Sequence, residues 1–399
     1  MRITAMGLVL AFILATSAAP PISAAAAADE PYKINVILPL TGIASFLGKE
    51  EQQTLQVHEK FINRTGGIRN RPIEYVFYDD QSNPQTGVQL AKQVSASNPA
   101  IIFGSSLVAV CNAMAPLMAN GPVQYCFSPG VHPPAGSYVF TSGVSTHDLH
   151  KAIIRYFREK GWKRIAIMTS TDATGQDAES GIVDAVNLPE NKNAGVTLVE
   201  QAHFNTTDVS VAAQLEKVKA AEPQAFIAWS TGTPIATIFK GMVQAGLDVP
   251  TATTDGNMTY AQMTAYADFL PKQLYIPTGQ WPPHEGVAKY DPAIEKAQQA
   301  FYAELAGAGL KPDIAANLAW GPAMLVSDGL SKLGLDATAT QLRDYLANRK
   351  GEPGIDGFFD FVKNPQRGFD DSDAVVTRWD PAKSAWVLLS KPGGIPLAP

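Results

Sequence analysis

Short apolar segments and segments of helical periodicity alternate along almost the whole chain, and no other feature of the sequence constrains the fold as strongly. The predicted strands are rich in β-branched and aromatic residues and occupy positions 33–38, 73–78, 100–103, 123–126, 164–168, 225–229 and 274–276. Strands that alternate with helices build parallel sheets that helices cover on both faces. The sequence therefore predicts an α/β protein.

Three of the intervening helices have clear start signals. Ser145 or Thr146 can cap a helix whose apolar residues recur every three or four positions. A second helix begins at Pro234 and ends at Gly246, because proline suits the first turn of a helix and glycine its C-terminal cap. A third begins at Asp291. These signals separate the predicted strands from one another.

The length of the chain and a partial repeat indicate two domains. The chain has 399 residues, which exceeds the roughly 250–300 residues at which a single hydrophobic core stops growing. The order of strand and helix restarts at Trp162 much as it begins at Lys33. After about Gly351 the pattern changes, and we interpret short strands at 358–362, 375–379 and 386–389 as a closing β segment.

The N-terminus has the pattern of a secretory signal peptide. Arg2 precedes an apolar run at 6–15, and prolines and a string of alanines ending at Ala28 follow it. We expect cleavage near Ala28, which removes residues 1–28 and releases a freely diffusing protein into the periplasm. The run is shorter than the roughly 20 residues that span a bilayer, and no later stretch approaches that length.

Cys111 and Cys126 are the two cysteines of the chain and lie 15 positions apart. In an oxidising compartment they can form one disulfide. Cys111 is predicted to lie early in a helix and Cys126 near the end of the next strand. These two points share one edge of a parallel sheet. Two separate buried thiols are the alternative. Neither cysteine lies near the cleavage region, so no lipid anchor is expected.

Charge and motifs argue against several classes of protein. The formal net charge of −6 does not suit nucleic acid or an anionic membrane. We find no Gly-x-Ser-x-Gly elbow, His-Glu-x-x-His motif or Gly-x-Gly-x-x-Gly loop, so we expect neither enzyme activity nor a cofactor. His147 and His150 have helical spacing but no nearby cysteine, so we expect no metal site and expect both to face solvent. A periplasmic hydrolase is the remote alternative.

Several short motifs recur in a specific order along the chain. They are Pro39-Leu40-Thr41-Gly42, Gly66-Gly67-Ile68, Tyr78-Asp79-Asp80, Gly161-Trp162-Lys163, Gly246-Leu247-Asp248-Val249-Pro250 and Gly354-Ile355-Asp356-Gly357. Together they resemble the type I periplasmic binding proteins of the branched-chain amino acid (leucine/isoleucine/valine) class, the substrate-binding components of ABC transporters. The resemblance covers essentially the whole mature chain.

The resemblance implies two doubly wound parallel-sheet lobes, with the ligand held in the cleft between them. Three hinge crossings would join the lobes near 141–145, 276–280 and 351–356. The N-terminal lobe would comprise residues 29–143 plus 279–353, and the C-terminal lobe residues 144–278 plus 354–399. Each lobe is therefore expected to be discontinuous in sequence.

The family's carboxylate-binding positions correspond to loops that follow predicted strands of the N-terminal lobe. They fall on Val108 or Ala109 and on Gly130 and His132, with Ser105, Ser106 or His132 as side-chain donors. Val131, between the last two positions, is also expected to bind the ligand. His132 is alternatively a solvated loop histidine. The resemblance thus implies a carboxylate held largely by backbone N–H groups.

The family's ammonium-binding carboxylate corresponds to Asp255. An opposite charge in a closed cleft of low dielectric constant is worth far more than one on the surface. The alternative is a turn aspartate that binds local amides beside Gly256. Asp255 therefore favours an amino acid as ligand.

Other positions depart from the family's pattern. The cleft tyrosines of family members correspond to Leu47, Thr174 and Gly232, which are smaller or less polar. The aromatic residues close enough to line the pocket are Phe46, Trp229 and Trp281, each of which is alternatively part of a core. A wider pocket with an aromatic wall suits a planar ligand.

Two ligand classes therefore stay open: an amino acid, or an aromatic carboxylate. In either case the resemblance implies a monomer that closes by hinge motion and delivers a small molecule to an ABC transporter permease. A ligand-sensing receptor domain of the same fold is a further alternative.

Overall fold

The computed structural model describes residues 30–283 and 290–398. The predicted signal peptide and its cleavage near Ala28 lie outside the described residues. Within the described residues, no helix is long and apolar enough to cross a membrane.

Sixteen strands occur in the described part of the chain. They are β1 Tyr32–Leu38, β2 Ile73–Asp79, β3 Ile101–Phe103, β4 Val123–Cys126, β5 Val139–Thr141, β6 Arg164–Ser170, β7 Thr197–Phe204, β8 Ala225–Trp229, β9 Thr251–Ala252, β10 Leu274–Thr278, β11 Lys350–Pro353, β12 Phe358–Asp360, β13 Val375–Asp380, β14 Ala385–Leu388, β15 Ser390–Lys391 and β16 Ile395–Pro396.

Twelve α-helices connect them in the same described ranges. They are α1 Ser45–Arg64, α2 Pro84–Ser95, α3 Val108–Met114, α4 Thr146–Glu159, α5 Ala173–Asn187, α6 Pro189–Asn193, α7 Ala212–Ala220, α8 Ile235–Ala245, α9 Tyr260–Ala265, α10 Pro292–Gly307, α11 Ile314–Leu333 and α12 Ala339–Ala347.

Two main sheets organise these elements. Sheet 1 has the order β2-β1-β3-β4-β5 and is parallel throughout. Sheet 2 has the order β14-β13-β10-β9-β8-β6-β7, in which β13 and β14 are antiparallel and the other pairs parallel. The predicted α/β class with doubly wound parallel sheets is confirmed.

Three strands of the two main sheets are missing from the sequence-based prediction, as are the short strands β11, β15 and β16 outside them. β7 is an edge strand of sheet 2 in which most side chains are exposed or half-buried, so its sequence is too polar to stand out. β5 has three residues and β9 two, which is too short for a periodic signal. All of the strands that the sequence predicts occur in the structure, and their ends differ by at most two residues.

The predicted helix boundaries are confirmed at all three helices with start signals. The Ser145 hydroxyl accepts a hydrogen bond from the Asp148 N–H at the start of α4. Gly246 ends α8 in the left-handed region at φ 62°, which glycine adopts without steric cost. Asp291 caps α10 through the Ala293 N–H.

After β10 of sheet 2, the chain forms helices α10, α11 and α12, and α10 and α11 pack against α1 beside sheet 1. Trp320 of α11 lies edge-on to His58 of α1, with ring centroids 5.5 Å apart, and also packs on Phe301 of α10. The chain then forms the hairpin β11-β12 and continues into β13 of sheet 2. Gln298 of α10 connects the segments around Gln280 and Ile355, where the second and third hinge crossings are predicted. Its Nε2 donates to the carbonyls of these two residues at 2.9 and 2.8 Å.

A disulfide joins Cys111 and Cys126, whose Cα atoms are 6.2 Å apart. Cys111 lies in α3 and Cys126 ends β4, and both side chains are fully buried. The bond therefore ties α3 to sheet 1, next to the loops that follow β3 and β4.

Candidate functional site

A cavity lies between the loops of sheet 1 and those of sheet 2. Its wall combines residues that follow β4 with residues that follow β6, β8 and β9. These loops leave the carboxyl ends of parallel strands, which is where α/β proteins bind ligands.

One part of the wall is apolar. It consists of Leu47, Val108, Phe127, Trp229 and Leu318. Trp229 ends β8 and is 1% exposed. Its indole packs on the buried imidazole of His150, with ring centroids 4.2 Å apart. This side of the cavity can hold a hydrocarbon or aromatic group of a ligand.

The rest of the wall is polar and rich in hydroxyls. The hydroxyl side chains are those of Ser106, Ser128, Thr146, Thr174, Thr231 and Thr254. Thr146 is the first residue of α4 and Thr174 the second residue of α5. Two helices thus begin at the cavity, and their positive dipole ends favour an anion there.

Asp255 supplies a buried carboxylate on the sheet 2 side of the cavity. It begins a short 3₁₀ helix, Asp255–Asn257, and is 3% exposed. Burial raises the pKa of Asp255 to about 7, although the hydrogen bond with Thr254 opposes the increase. A cation bound next to Asp255 would lower this pKa again and keep the carboxylate ionised.

A second carboxylate, that of Asp177 in α5, also lines the cavity. Its Oδ1 lies 2.7 Å from His132 Nε2 and 3.1 Å from His147 Nε2. Although burial opposes it, the hydrogen bonds from the two histidines hold the pKa of Asp177 below its usual range. The same hydrogen bond raises the pKa of His147.

The histidine pair at helical spacing is split by the structure. His147 contacts Asp177, whereas His150 is fully buried behind Trp229. The expectation that His150 faces solvent is wrong, because α5 covers this face of α4 through the close approach of Gly181. Burial lowers the pKa of His150 to about 3, so its imidazole is neutral.

Seven of the residues predicted for the site line the cavity. They are Leu47, Ser106, Val108, Gly130, Thr174, Trp229 and Asp255. Between the two alternatives for the position at the start of α3, Val108 lines the cavity and Ala109 does not.

Other predicted residues lie next to the cavity without lining it. Ser105 donates a hydrogen bond to Asp80 Oδ2 at 2.5 Å behind the wall. Val131 is buried beside Gly130, and His132 points to Asp177 at the outer rim. Gly232 lies against the backbone of Ile43, on the loop after β1.

Phe46 and Trp281 lie away from the cavity. Phe46 packs edge-on against Tyr266, with ring centroids 6.2 Å apart. Trp281 is fully buried and donates from Nε1 to Thr278 Oγ1 at 2.9 Å. Both aromatic rings are held by the core, so the predicted aromatic wall is reduced to Trp229 together with Phe127, which the sequence did not indicate.

Two buried ionisable residues support the site from behind, and the sequence indicates neither of them. Glu51 of α1 accepts a hydrogen bond from Ser106, and burial raises the pKa of Glu51 well above its usual value. Arg367 donates to the carbonyls of Pro129 and Val131, which fixes the loop after β4. A glutamate in the second turn of α1 and an arginine more than 200 residues beyond the loop carry no local signal of this role.

The loops of the two sheets also touch directly. The Thr233 N–H donates to the Ile43 carbonyl at 3.0 Å. Together with the His132–Asp177 contact, this hydrogen bond joins the sheet 1 and sheet 2 sides across the cavity.

Comparison with known proteins gives a match over most of the chain. A family model described as "periplasmic binding protein" matches residues 31–384. A curated relative, the Leu/Ile/Val-binding protein homolog 3 of Brucella melitensis, is 24% identical over 211 residues. That match covers 51% of this chain and 55% of the relative, so this chain spans about half the length of the relative.

Solved structures of similar fold match nearly end to end. One is the branched-chain amino acid transporter substrate-binding protein LivJ from Streptococcus pneumoniae in complex with isoleucine, with 18% identity, 90% of this chain and 99% of that chain covered, and a TM-score of 0.74. Another is an ABC transporter solute-binding protein from R. palustris in complex with benzoate, with 16% identity, 92% and 98% covered, and a TM-score of 0.74.

Proposed function

The chain belongs to the periplasmic binding protein family, and from this premise we propose that it is an exported solute-binding protein that holds a small amino acid in the cavity between two lobes. The N-terminal lobe is built on sheet 1 and the C-terminal lobe on sheet 2. Opening and closing about the three passages of the chain between the lobes admits and traps the ligand. The closed, loaded form then delivers the ligand to an ABC transporter permease, and the protein acts by binding and not by catalysis.

One observation carries the choice of an amino acid: the cavity offers opposite electrostatic environments to the two ends of a zwitterion. The N-termini of α4 and α5 favour a carboxylate. Asp255 offers a carboxylate to an ammonium group, and none of the lining residues is a lysine, arginine or histidine. An α-amino acid satisfies both ends, and its side chain would lie against Leu47, Phe127 and Trp229.

An aromatic carboxylate is the second candidate, and Trp229 and Phe127 favour it. A planar ring can pack on the indole of Trp229, and one structurally similar protein holds benzoate. This ligand would leave Asp255 without a cationic partner. Asp255 would then have to be protonated, which its pKa of about 7 permits only at neutral or lower pH.

A thermal-shift screen separates the two candidates. The panel contains aliphatic and aromatic amino acids together with benzoate and hydroxybenzoates. A ligand present at about 100 times its dissociation constant adds about 2.7 kcal/mol to the free energy of unfolding. We expect amino acids to raise the melting temperature and benzoates to leave it unchanged. Stabilisation by benzoates alone would replace the first candidate by the second, and no stabilisation by either class would refute both.

A further inference from the structure

Three potential metal ligands from separate parts of the chain meet at the rim of the cavity. The Nε2 atoms of His132 and His147 both lie within hydrogen-bond distance of Asp177 Oδ1, at 2.7 and 3.1 Å. The two imidazole rings are 4.5 Å apart between centroids. One ligand atom from each residue lies within 4.8 Å of the other two.

Glycines at two points allow this close approach. A Cβ at Gly181 of α5 would lie 2.7 Å from His147 Cδ2, so only glycine lets α5 pack this closely on α4. A Cβ at Gly130 would lie 3.1 Å from Asp177 Oδ2, in the gap between the loop after β4 and α5. The backbone therefore brings the three side chains together.

The hydrogen bonds of the two histidines satisfy only one oxygen of Asp177. The other oxygen, Oδ2, is buried and has no hydrogen-bond partner within residues 30–283 and 290–398. No lysine or arginine of these ranges forms an ion pair with Asp177. A buried carboxylate oxygen without a donor is costly unless a cation binds it.

We propose that His132, His147 and Asp177 form a binding site for one divalent transition-metal ion of the zinc class. Two imidazole nitrogens and one carboxylate are ligands that zinc prefers, and three protein ligands leave a coordination position for water. Ligand atoms about 2 Å from a tetrahedral ion are roughly 3.3 Å from one another, close to the separations in this cluster. The His132 side chain is 42% exposed, so the ion can enter from solvent.

The metal would connect the two sides of the cavity. His132 lies on the loop after β4 of sheet 1, whereas His147 and Asp177 lie on helices that pack on sheet 2. An ion bound by all three favours the closed arrangement. If the proposed function holds, metal and solute therefore each increase the affinity for the other by the same factor.

Zinc titration of the protein without added solute tests the site. The protein is purified without a histidine tag, and chelator-competition calorimetry at about pH 8 keeps the imidazoles deprotonated. We expect one equivalent of Zn²⁺ per chain. The variants H132N and H147N should each weaken zinc binding by more than about tenfold, since changes that only orient a ligand already cost about 10–100-fold. Co²⁺ should give the visible absorption of a tetrahedral site, and either variant should lose it.

His203 provides a matched control. It is an exposed histidine that pairs with Glu179 at 2.8 Å, and among the described residues no second histidine forms an ion pair with Glu179. H203N should bind zinc as the unmodified protein does, and melting temperatures without metal confirm that all three variants are folded. The proposal is overturned if the protein binds no zinc, or if H132N and H147N bind it as tightly as H203N does. Because no solute is present, the outcome is independent of the proposed solute.

Discussion

Asp255 is an acidic residue that folding removes from water before any ligand arrives. Its carboxyl is 3% exposed, and burial raises its pKa to about 7, against an ordinary value of 3.8. The folded protein without ligand therefore binds one more proton than the unfolded chain between about pH 4 and pH 7. Asp255 thus opposes folding of the ligand-free protein at neutral pH, which is typical of a residue kept for binding.

Exchange of Asp255 for asparagine should remove this pH dependence. With rising pH, the free energy of unfolding of the unmodified protein should fall relative to that of D255N, and the difference should level off above about pH 7. Each unit of pKa shift corresponds to about 1.4 kcal/mol. The free energy of unfolding of the unmodified protein should therefore fall by a few kcal/mol relative to that of D255N. Urea unfolding at several pH values measures it.

Burial also raises the pKa values of Asp356 and Asp373 to about 7. Both residues are present in D255N, so the difference between the two proteins reports the contribution of Asp255 to the pH dependence. Parallel pH profiles of the two proteins would show that Asp255 is not buried in this way.

At the scale of the elements, the loops that face each other across the cavity depend on one glycine. Gly232 has φ +85°, in the left-handed region, and a Cβ there would press into the Ile43 carbonyl of the facing loop. The neighbouring Thr233 N–H donates to the same carbonyl. Glycine at 232 therefore permits one of the contacts between the sheet 1 and sheet 2 sides of the cavity.

Alanine at 232 should oppose closure of the lobes. We expect G232A to lower the affinity for the solute by about tenfold or more, since about 1.4 kcal/mol of strain in the closed form has that effect. G195A is the matched control, because Gly195 has φ +81° and a Cβ there would meet no atom within 4 Å. Equal affinities in calorimetric titrations of both variants would show that this contact plays no part in binding.

The elements themselves are largely predictable from the sequence. The strands that the sequence missed are short or at an edge, such as β7, because their local patterns are weak. Asp255 could be proposed from its position in a motif. Glu51 and Arg367 could not, because tertiary packing brings them behind the cavity from distant parts of the chain. Asp177 lies one turn after the predicted Thr174 in α5, but no motif distinguishes it. Phe46 and Trp281 are aromatic and close in sequence to the cavity loops, but core packing holds both elsewhere.

At the scale of the whole molecule, two sheets place the carboxyl ends of their parallel strands on opposite sides of one cavity. Each side brings a different chemistry: the loop after β4 is fixed by the buried Arg367, and the sheet 2 side carries Asp177 and Asp255. A ligand that bridges the lobes stabilises the closed form by its contacts to both. We therefore expect the ligand to carry both an acidic and a basic group.

Calorimetric titration with a matched pair of ligands tests this claim most directly. The pair is the amino acid that gives the largest thermal shift and the same acid without its amino group, such as leucine and 4-methylpentanoate. We predict that the amino acid binds at least about 30-fold more tightly, because loss of a buried charge partner costs about 2–5 kcal/mol. Equal or tighter binding of the acid without the amino group would contradict the account.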